Sequence, residues 1–240
     1  MKLGKREVKT PAVCGAVIRK SLPDVRAAVG KGVKSGADII ELRIDGLRDQ
    51  SGWESLLRGR VPIILTNRAK REGGFFVGSE NARAEPLMRG VELGVSCVDV
   101  ELSTPQPIRD AILKKAKRKG VSTIVSYHDF VGTPTAAQLI KITEKIAATG
   151  CDIAKVVTSA KNRGDSFRML DFIVRTQEEF KIPVIAFAMN GAGKLTRFIG
   201  PIFGVPIVYA AVEKQTAPGQ LDVATTKAML KELTPREVRD

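Results

Sequence analysis

The chain has 240 residues, 43% of them hydrophobic, 5% aromatic and 27% charged, with a formal net charge of +13 and a pI near 9.9. That suffices for a sizeable core in one large α/β domain or two smaller ones. No apolar run approaches the roughly 18 residues of a membrane span, and the charged start Met1–Arg6, with an apolar stretch ending at Arg19, does not make a signal peptide.

The first predicted strand is Ala12–Ile18. The turn after it, Ile18–Ser21, contains no glycine, so the dinucleotide fingerprint of an open doubly wound sheet is missing. The second, Asp38–Ile44, follows Gly36, and its period-two alternation puts Glu41, Arg43 and Asp45 on one face. The third, Pro62–Asn67, delivers Thr66, Asn67 and Arg68, and Glu72 follows just before Gly73 and Gly74. The fourth, Cys97–Leu102, comes after Gly94 and carries Asp99 and Glu101 on one face.

The basic cluster Lys114-Lys115-Ala116-Lys117-Arg118-Lys119 closes a predicted helix before Gly120. Cations there complement the helix dipole and face water. No aromatics interleave on which bases could stack, so nucleic-acid binding is the weaker reading of the positive charge. The fifth strand, Thr123–Tyr127, leads into His128, the chain's only histidine, which shares a face with Ser126. Thr135 and Gln138 then form a capping-box pattern before Leu139, Ile142 and Ile146, which share a helical face ahead of Gly150.

The sixth strand, Ile153–Thr158, holds Lys155 alone among apolar neighbours, and Phe167, Leu170 and Val174 share a face of the helix after it. The seventh, Pro183–Ala188, runs to Met189, a glycine-rich turn Gly191–Thr196 and then Arg197. That turn fails the phosphate-loop motif, because position 188 is Ala and Leu195 takes the required Ser/Thr place; an anion nest at a helix start remains open. The eighth, Pro206–Val212, is followed by Thr216-Ala217-Pro218-Gly219-Gln220. The stretch between the seventh and eighth strands is short, which predicts a stunted helix.

Eight strand–helix units in a chain of this length predict an α/β fold, a single (β/α)8 TIM barrel over residues 1–240. Cys14, Cys97 and Cys151 are odd in number, sit in or beside apolar runs and have no metal-ligand spacing. They read as buried reduced thiols in a cytoplasmic protein, with no metal expected.

In such a barrel the chemistry lies at the C-terminal ends of the strands, where the polar residues above gather. Each has a plain structural reading. Glu41–Arg43 could be an interior salt bridge with Asp99 and Glu101 as partners, His128 a satisfied core residue, Thr216–Gln220 an ordinary Pro-Gly turn, and Lys155 a lysine snorkelling to a rim carboxylate. Their convergence on one rim favours function. Burial disfavours the ammonium form of a lone lysine, and a neutral amine is a Schiff-base nucleophile. The iminium it makes with a ketone is an electron sink for a carbanion on the adjacent carbon. His128 suits removal of that carbon's proton and its return to a departing hydroxyl, with Glu72 orienting the imidazole. Arg43, Arg68 and Arg197 offer forked donors for a carboxylate and hydroxyls. The parts fit β-elimination of water from a polyhydroxylated keto acid, with no metal or nucleotide cofactor required.

These segments resemble type I 3-dehydroquinate dehydratase over essentially the whole chain: Glu41–Asp45, Thr66–Arg68 through Glu72–Gly74, Asp99–Glu101, Ser126–Phe130, Ala154–Lys155, Met189 with Gly191 and Arg197, and Ala217–Gln220. The resemblance implies a shikimate-pathway lyase converting 3-dehydroquinate to 3-dehydroshikimate by syn elimination, with Lys155 forming the imine and His128, paired with Glu72, as general acid/base. It implies that Arg197 binds the substrate carboxylate, and that Glu41, Arg43, Arg68 and Gln220 hold ring hydroxyls and carboxylate. Thr216 stands where many members have Ser and keeps the hydroxyl. Members often dimerise, so a homodimer is possible; no nucleic-acid or membrane partner is implied. Two alternatives stay open: a class I Schiff-base aldolase acting on a phosphorylated sugar, supported only by Gly191–Lys194, and a basic nucleic-acid-binding protein.

Overall fold

The computed structural model describes residues 1–57 and 59–233. The chain opens with a two-residue antiparallel pair, β1 (Lys2–Leu3) and β2 (Arg6–Glu7). Eight parallel strands follow: β3 (Ala12–Val17), β4 (Ile39–Arg43), β5 (Ile63–Thr66), β6 (Cys97–Glu101), β7 (Ser122–His128), β8 (Ile153–Ser159), β9 (Val184–Met189) and β10 (Ile207–Ala211). They are ordered β10-β3-β4-β5-β6-β7-β8-β9, a nearly closed (β/α)8 barrel whose ladder stops between β9 and β10. The helices are α1 (Leu22–Lys34), α2 (Glu80–Glu92), α3 (Gln106–Lys119), α4 (Ala136–Ala147), α5 (Arg163–Glu179), α6 (Asn190–Ile199) and α7 (Val223–Leu233).

Strands sandwiched between a barrel interior and a helical ring bury both faces, and that is why their sequences read as continuous apolar runs. The inward residues of the lower barrel are Ala12, Cys14, Ile39, Ile64, Cys97, Ile124, Ile153, Ile185 and Ile207. Leu3 and Val8, from and beside the N-terminal hairpin, pack with them. Outward residues such as Val98, Val100, Val156 and Ala186 meet the helices. All three cysteines are buried and unpaired, as expected.

Local chemistry explains the helix ends. Thr135 and Gln138 make the reciprocal capping box, and Gly120 ends α3 at φ 66°, behind the cationic last turn Lys117–Lys119. The unit before β10 is short as predicted: α6 has 10 residues and gives way to a 3-10 turn, Gly200–Phe203.

Two expectations need correction. Phe167, Leu170 and Val174 do lie on α5, but Phe167 is 65% and Val174 40% exposed. The face turned to the barrel is Met169, Phe172, Ile173 and Thr176. The glycine-rich turn after β9 does not exist as a loop, because Gly191–Thr196 is already inside α6. Asn190, at φ 70°, swings the chain straight from strand to helix. A Cβ on Gly193 would lie 2.5 Å from the Ala188 carbonyl oxygen, so glycine permits that close approach. Thr196 Oγ1 accepts from Ala188 N at 2.8 Å and donates to Gly193 O at 2.7 Å, clamping the junction.

Candidate active site

The strand register sets the site. Ser126 on β7 is level with Glu101 on β6 and Lys155 on β8, and His128 is level with Val157. Inward alternation therefore turns Asp99, Glu101, Ser126, His128 and Lys155 toward one space at the barrel mouth, which Arg43 and Arg68 also line.

Lys155 is 3% exposed. Its Nζ donates to Asp99 Oδ2 at 3.0 Å, lies 3.6 Å from Glu41 Oε1 and sits 4.1 Å from the centroid of the Tyr209 ring. The sequence suggested an ammonium without company. The structure supplies carboxylates from β4 and β6, inward residues of strands distant in sequence. Burial alone would raise the Asp99 carboxyl, but Arg68 and then Lys155 outweigh it and hold the group well below the usual carboxylate range.

Arg68 is spent on this network. Its Nη2 donates to Asp99 at 2.8 Å, and its Nη1 to Ser126 Oγ at 2.7 Å and Glu101 at 3.3 Å. Arg43 pairs with Asp45 through two 2.8 Å bonds, not with Glu41, which instead accepts from Thr66 Oγ1 at 3.0 Å. The interior Glu41–Arg43 salt bridge is thus absent among the described residues.

Glu72 reaches the site on a single 3-10 turn, Lys70–Glu72, ended by Gly73 at φ 74°. The chain then folds back so tightly that a Cβ on Gly74 would stand 2.0 Å from the Arg68 carbonyl oxygen. This delivers Glu72 Oε2 to 3.0 Å from His128 Nδ1, while Ser103 Oγ donates to Oε1. Burial pushes the Glu72 carboxyl up to about 7 against the opposing pull of Ser103 and Arg68. Burial, then the cations Arg68 and Lys155, push the His128 imidazole well below its ordinary value. The pair therefore resists carrying two charges at rest, and His128 stands neutral with Nε2 free for a proton.

Above Lys155 lies a cavity of about 80 Å³ walled by Glu41, Arg43, Arg68, Glu72, His128, Lys155 and Tyr209, with Thr216, Pro218 and Gln220 across the top. The Gln220 carboxamide oxygen accepts from Thr216 N, Thr216 Oγ1 and Ala217 N at 2.8, 3.1 and 3.2 Å, so the Thr216 hydroxyl serves the loop itself. A larger depression, about 590 Å³, opens at the other end of the strands among Lys2, Ser122 and Asp152. It lacks the converging acid, base and amine, and chemistry rather than size decides between them.

Arg197 is the exception among the predicted residues. It is 4% exposed but stands behind the wall, its guanidinium 4.0 Å over the Phe187 ring and its Nη2 3.4 Å from Pro218 O. Its Nε and Nη1 have no acceptor among the described residues. Burial pushes it down to about 10, as an uncompensated buried cation demands. Such a group wants a carboxylate.

The sequence reading did not assign Tyr209, Phe187, Ser103 or the Lys155–Asp99 contact to the site. For Tyr209 the available signal was alternation, since it lies two residues beyond inward Ile207 on β10. Ser103 follows its strand with no pattern at all.

Known proteins resemble this chain over most of its length. The family model for type I 3-dehydroquinase matches residues 13–236. The 3-dehydroquinate dehydratase of Methanothermobacter thermautotrophicus is 37% identical over 230 residues, covering 94% of this chain and 98% of its own. That of Pyrococcus abyssi is 35% identical over 207 residues, covering 86% and 93%. Among solved structures, the 3-dehydroquinate dehydratase of Geobacillus kaustophilus superposes with a TM-score of 0.87 at 26% identity, covering 97% and 98%. The likeness to 3-hexulose-6-phosphate synthase, TM-score 0.61 at 15% identity, is one of fold alone.

Proposed function

Since the chain belongs to the type I 3-dehydroquinase family, a carbon–oxygen lyase that dehydrates 3-dehydroquinate to 3-dehydroshikimate through a lysine Schiff base in the shikimate pathway, we propose that Lys155 is that lysine and His128, with Glu72, its acid/base. The observation that carries the assignment is the convergence on one cavity of Lys155 Nζ and His128, from adjacent strands, with Glu72 bonded to the imidazole from the Lys70–Glu72 turn.

In this reading the Lys155 amine adds to the substrate ketone and water leaves, giving the iminium. His128 Nε2 takes a proton from the adjacent carbon, and the C–H electron pair moves into the iminium to give an enamine. The enamine pushes out the hydroxyl one carbon further on. The imidazolium, held by Glu72 at Nδ1, gives that hydroxyl its proton so that it departs as water. One group acting twice fits elimination on a single face. Hydrolysis of the conjugated iminium releases product and restores Lys155. Arg197 binds the carboxylate; Glu41, Arg43, Arg68, Thr216 and Gln220 line the hydroxyl-bearing face, with Arg68 acting chiefly by fixing Asp99 and Ser126.

The test is borohydride reduction with and without 3-dehydroquinate, followed by peptide mass spectrometry. A substrate-dependent adduct on Lys155 is expected, and no adduct in folded protein would withdraw the assignment. The reading extends to residues 1–240 working as one catalytic domain in the cytoplasm, and to a homodimer, for which light scattering should give twice the 26.0 kDa chain mass. Among the described residues no helix is long and apolar enough to cross a membrane.

A further inference from the structure

An ammonium has three N–H donors, whereas the protonated iminium of a lysine and a ketone has one. The surroundings of Lys155 Nζ match the second count. Among the described residues a single acceptor, Asp99 Oδ2 at 3.0 Å, is within hydrogen-bond distance. The Glu41 oxygen, at 3.6 Å, contributes charge but no bond, and its Oε1 is already engaged by Thr66. A third side is the face of the Tyr209 ring, which offers a cation an attractive quadrupole and no acceptor.

We infer that Asp99 and Tyr209 form a cradle built for the iminium state of Lys155, one oxygen for its one N–H and one π face for its positive charge, making Tyr209 a residue that stabilises the intermediate. The inference rests on Lys155 being the Schiff-base lysine. The cradle is held in advance. Asp99 is fixed by Arg68, whose Nη2 donates to the same Oδ2 at 2.8 Å, and by Ser126, whose Oγ donates to Oδ1 at 2.6 Å. Tyr209 is 4% exposed on β10, with Phe187 6.2 Å away between ring centroids. The resting ammonium shares these contacts, whereas the uncharged amine that attacks the ketone does not, so they favour the cationic iminium over that attacking amine, and preorganised groups need no rearrangement to supply them. The buried Tyr209 hydroxyl has no partner among the described residues, so it is the ring, not a hydrogen bond to the side chain, that the structure puts to use here.

Tyr209 is the better probe, since changing Asp99 would also strip Arg68 of a partner. Tyr209→Leu removes the π face, and Tyr209→Phe keeps it while deleting the hydroxyl. Each is measured for kcat, for the rate of substrate-dependent inactivation by borohydride, and for affinity toward a cyclic polyhydroxy carboxylate that lacks the ketone. Tyr209→Leu is expected to lower kcat and the trapping rate together by about 30-fold, the equivalent of the ~2 kcal/mol of a desolvated cation–π contact. Affinity for the ketone-free acid should stay within about twofold. Tyr209→Phe should recover most of the loss.

Trapping by Tyr209→Leu within twofold of the parent would overturn the inference. So would Tyr209→Phe failing as badly as Leu, or a 30-fold loss of affinity for the ketone-free acid, which marks general damage to the site. Absence of a Lys155 adduct in the unaltered protein would instead remove the Schiff-base assignment beneath it.

Discussion

Replacing Glu72 by Gln separates what the buried carboxylate does for catalysis from what it costs the fold. Its carboxyl is pushed from 4.5 to about 7 by burial, a gap worth about 3 kcal/mol. Between those two values the folded protein binds a proton that the unfolded chain has released, so stability falls as pH rises through that window. From pH 5 to pH 8 the loss comes to about 2–3 kcal/mol. A carboxamide cannot ionise, so Glu72→Gln escapes this descent. The His128 imidazole, held neutral by burial, acts in the opposite sense below its ordinary value in both proteins, and loss of the adjacent carboxylate holds it neutral more firmly in the variant, which moves the difference in the same direction.

Urea unfolding of parent and variant at pH 5 and pH 8 should show the stability difference moving by about 2–3 kcal/mol in the variant's favour at the higher pH. Catalysis should go the other way. The carboxylate lies 3.0 Å from His128 Nδ1, where it supports the imidazolium that forms on proton abstraction. Losing a charge-assisted bond of roughly 1.5–3 kcal/mol lowers kcat by about 10- to 150-fold. In the parent, kcat/KM should fall as pH drops through about 7, as Glu72 gains its proton, and that acid limb should vanish in Glu72→Gln. Parallel stability profiles for the two proteins, or an acid limb that persists in the variant, would refute the reasoning.

The barrel was legible because burial on both faces leaves a continuous signature. Every predicted strand from Ala12–Ile18 to Pro206–Val212 overlaps an observed one to within two residues at each end. Glycines 36, 94, 120 and 150 sit at positive φ where helices stop, as their places before strands suggested. The N-terminal hairpin was not legible, since two-residue strands have no periodicity to read. The exposed face of α5 misled for a related reason. Apolar residues occupy both sides of that helix, and only the barrel decides that Met169 and Phe172 turn inward while Phe167 does not.

At the site, residue types and strand ends were legible, but pairings were not. Alternation put Glu41, Arg43 and Asp45 on one face, yet the choice of Asp45 as partner of Arg43 depends on the 3-10 turn Ile44–Gly46 and on Phe75 N, which donates to Asp45 at 3.1 Å from a loop thirty residues on. Likewise Asp99 and Lys155 are 56 residues apart and meet only because β6, β7 and β8 are in register. A one-dimensional reading sees a buried lysine as alone; barrel closure supplies its partners.

Two further variants divide the chemistry. His128→Ala should still form the Lys155 adduct under borohydride while turnover falls by about 10²–10⁴-fold, the usual worth of a general acid/base; an equal loss of adduct would mean that His128 serves imine formation instead. Arg197→Lys tests the carboxylate site. The guanidinium is buried, no carboxylate pairs with it among the described residues, and Nε and Nη1 lack acceptors. A ligand carboxylate would pair Nη2 with Nε or with Nη1, satisfying one of the two open donors in the forked geometry that an ammonium cannot reproduce. Reaching it requires passage beside Phe187 and Pro218, the groups now lying against it. Loss of one charge-assisted bond should raise KM by about 10- to 150-fold with kcat much less affected, since the carboxylate is bound alike before and after the elimination. A rise in KM that vanishes for a substrate analogue lacking the carboxylate would pin the effect to that contact, whereas an unchanged KM would move the carboxylate to Arg43, whose fork Asp45 already holds.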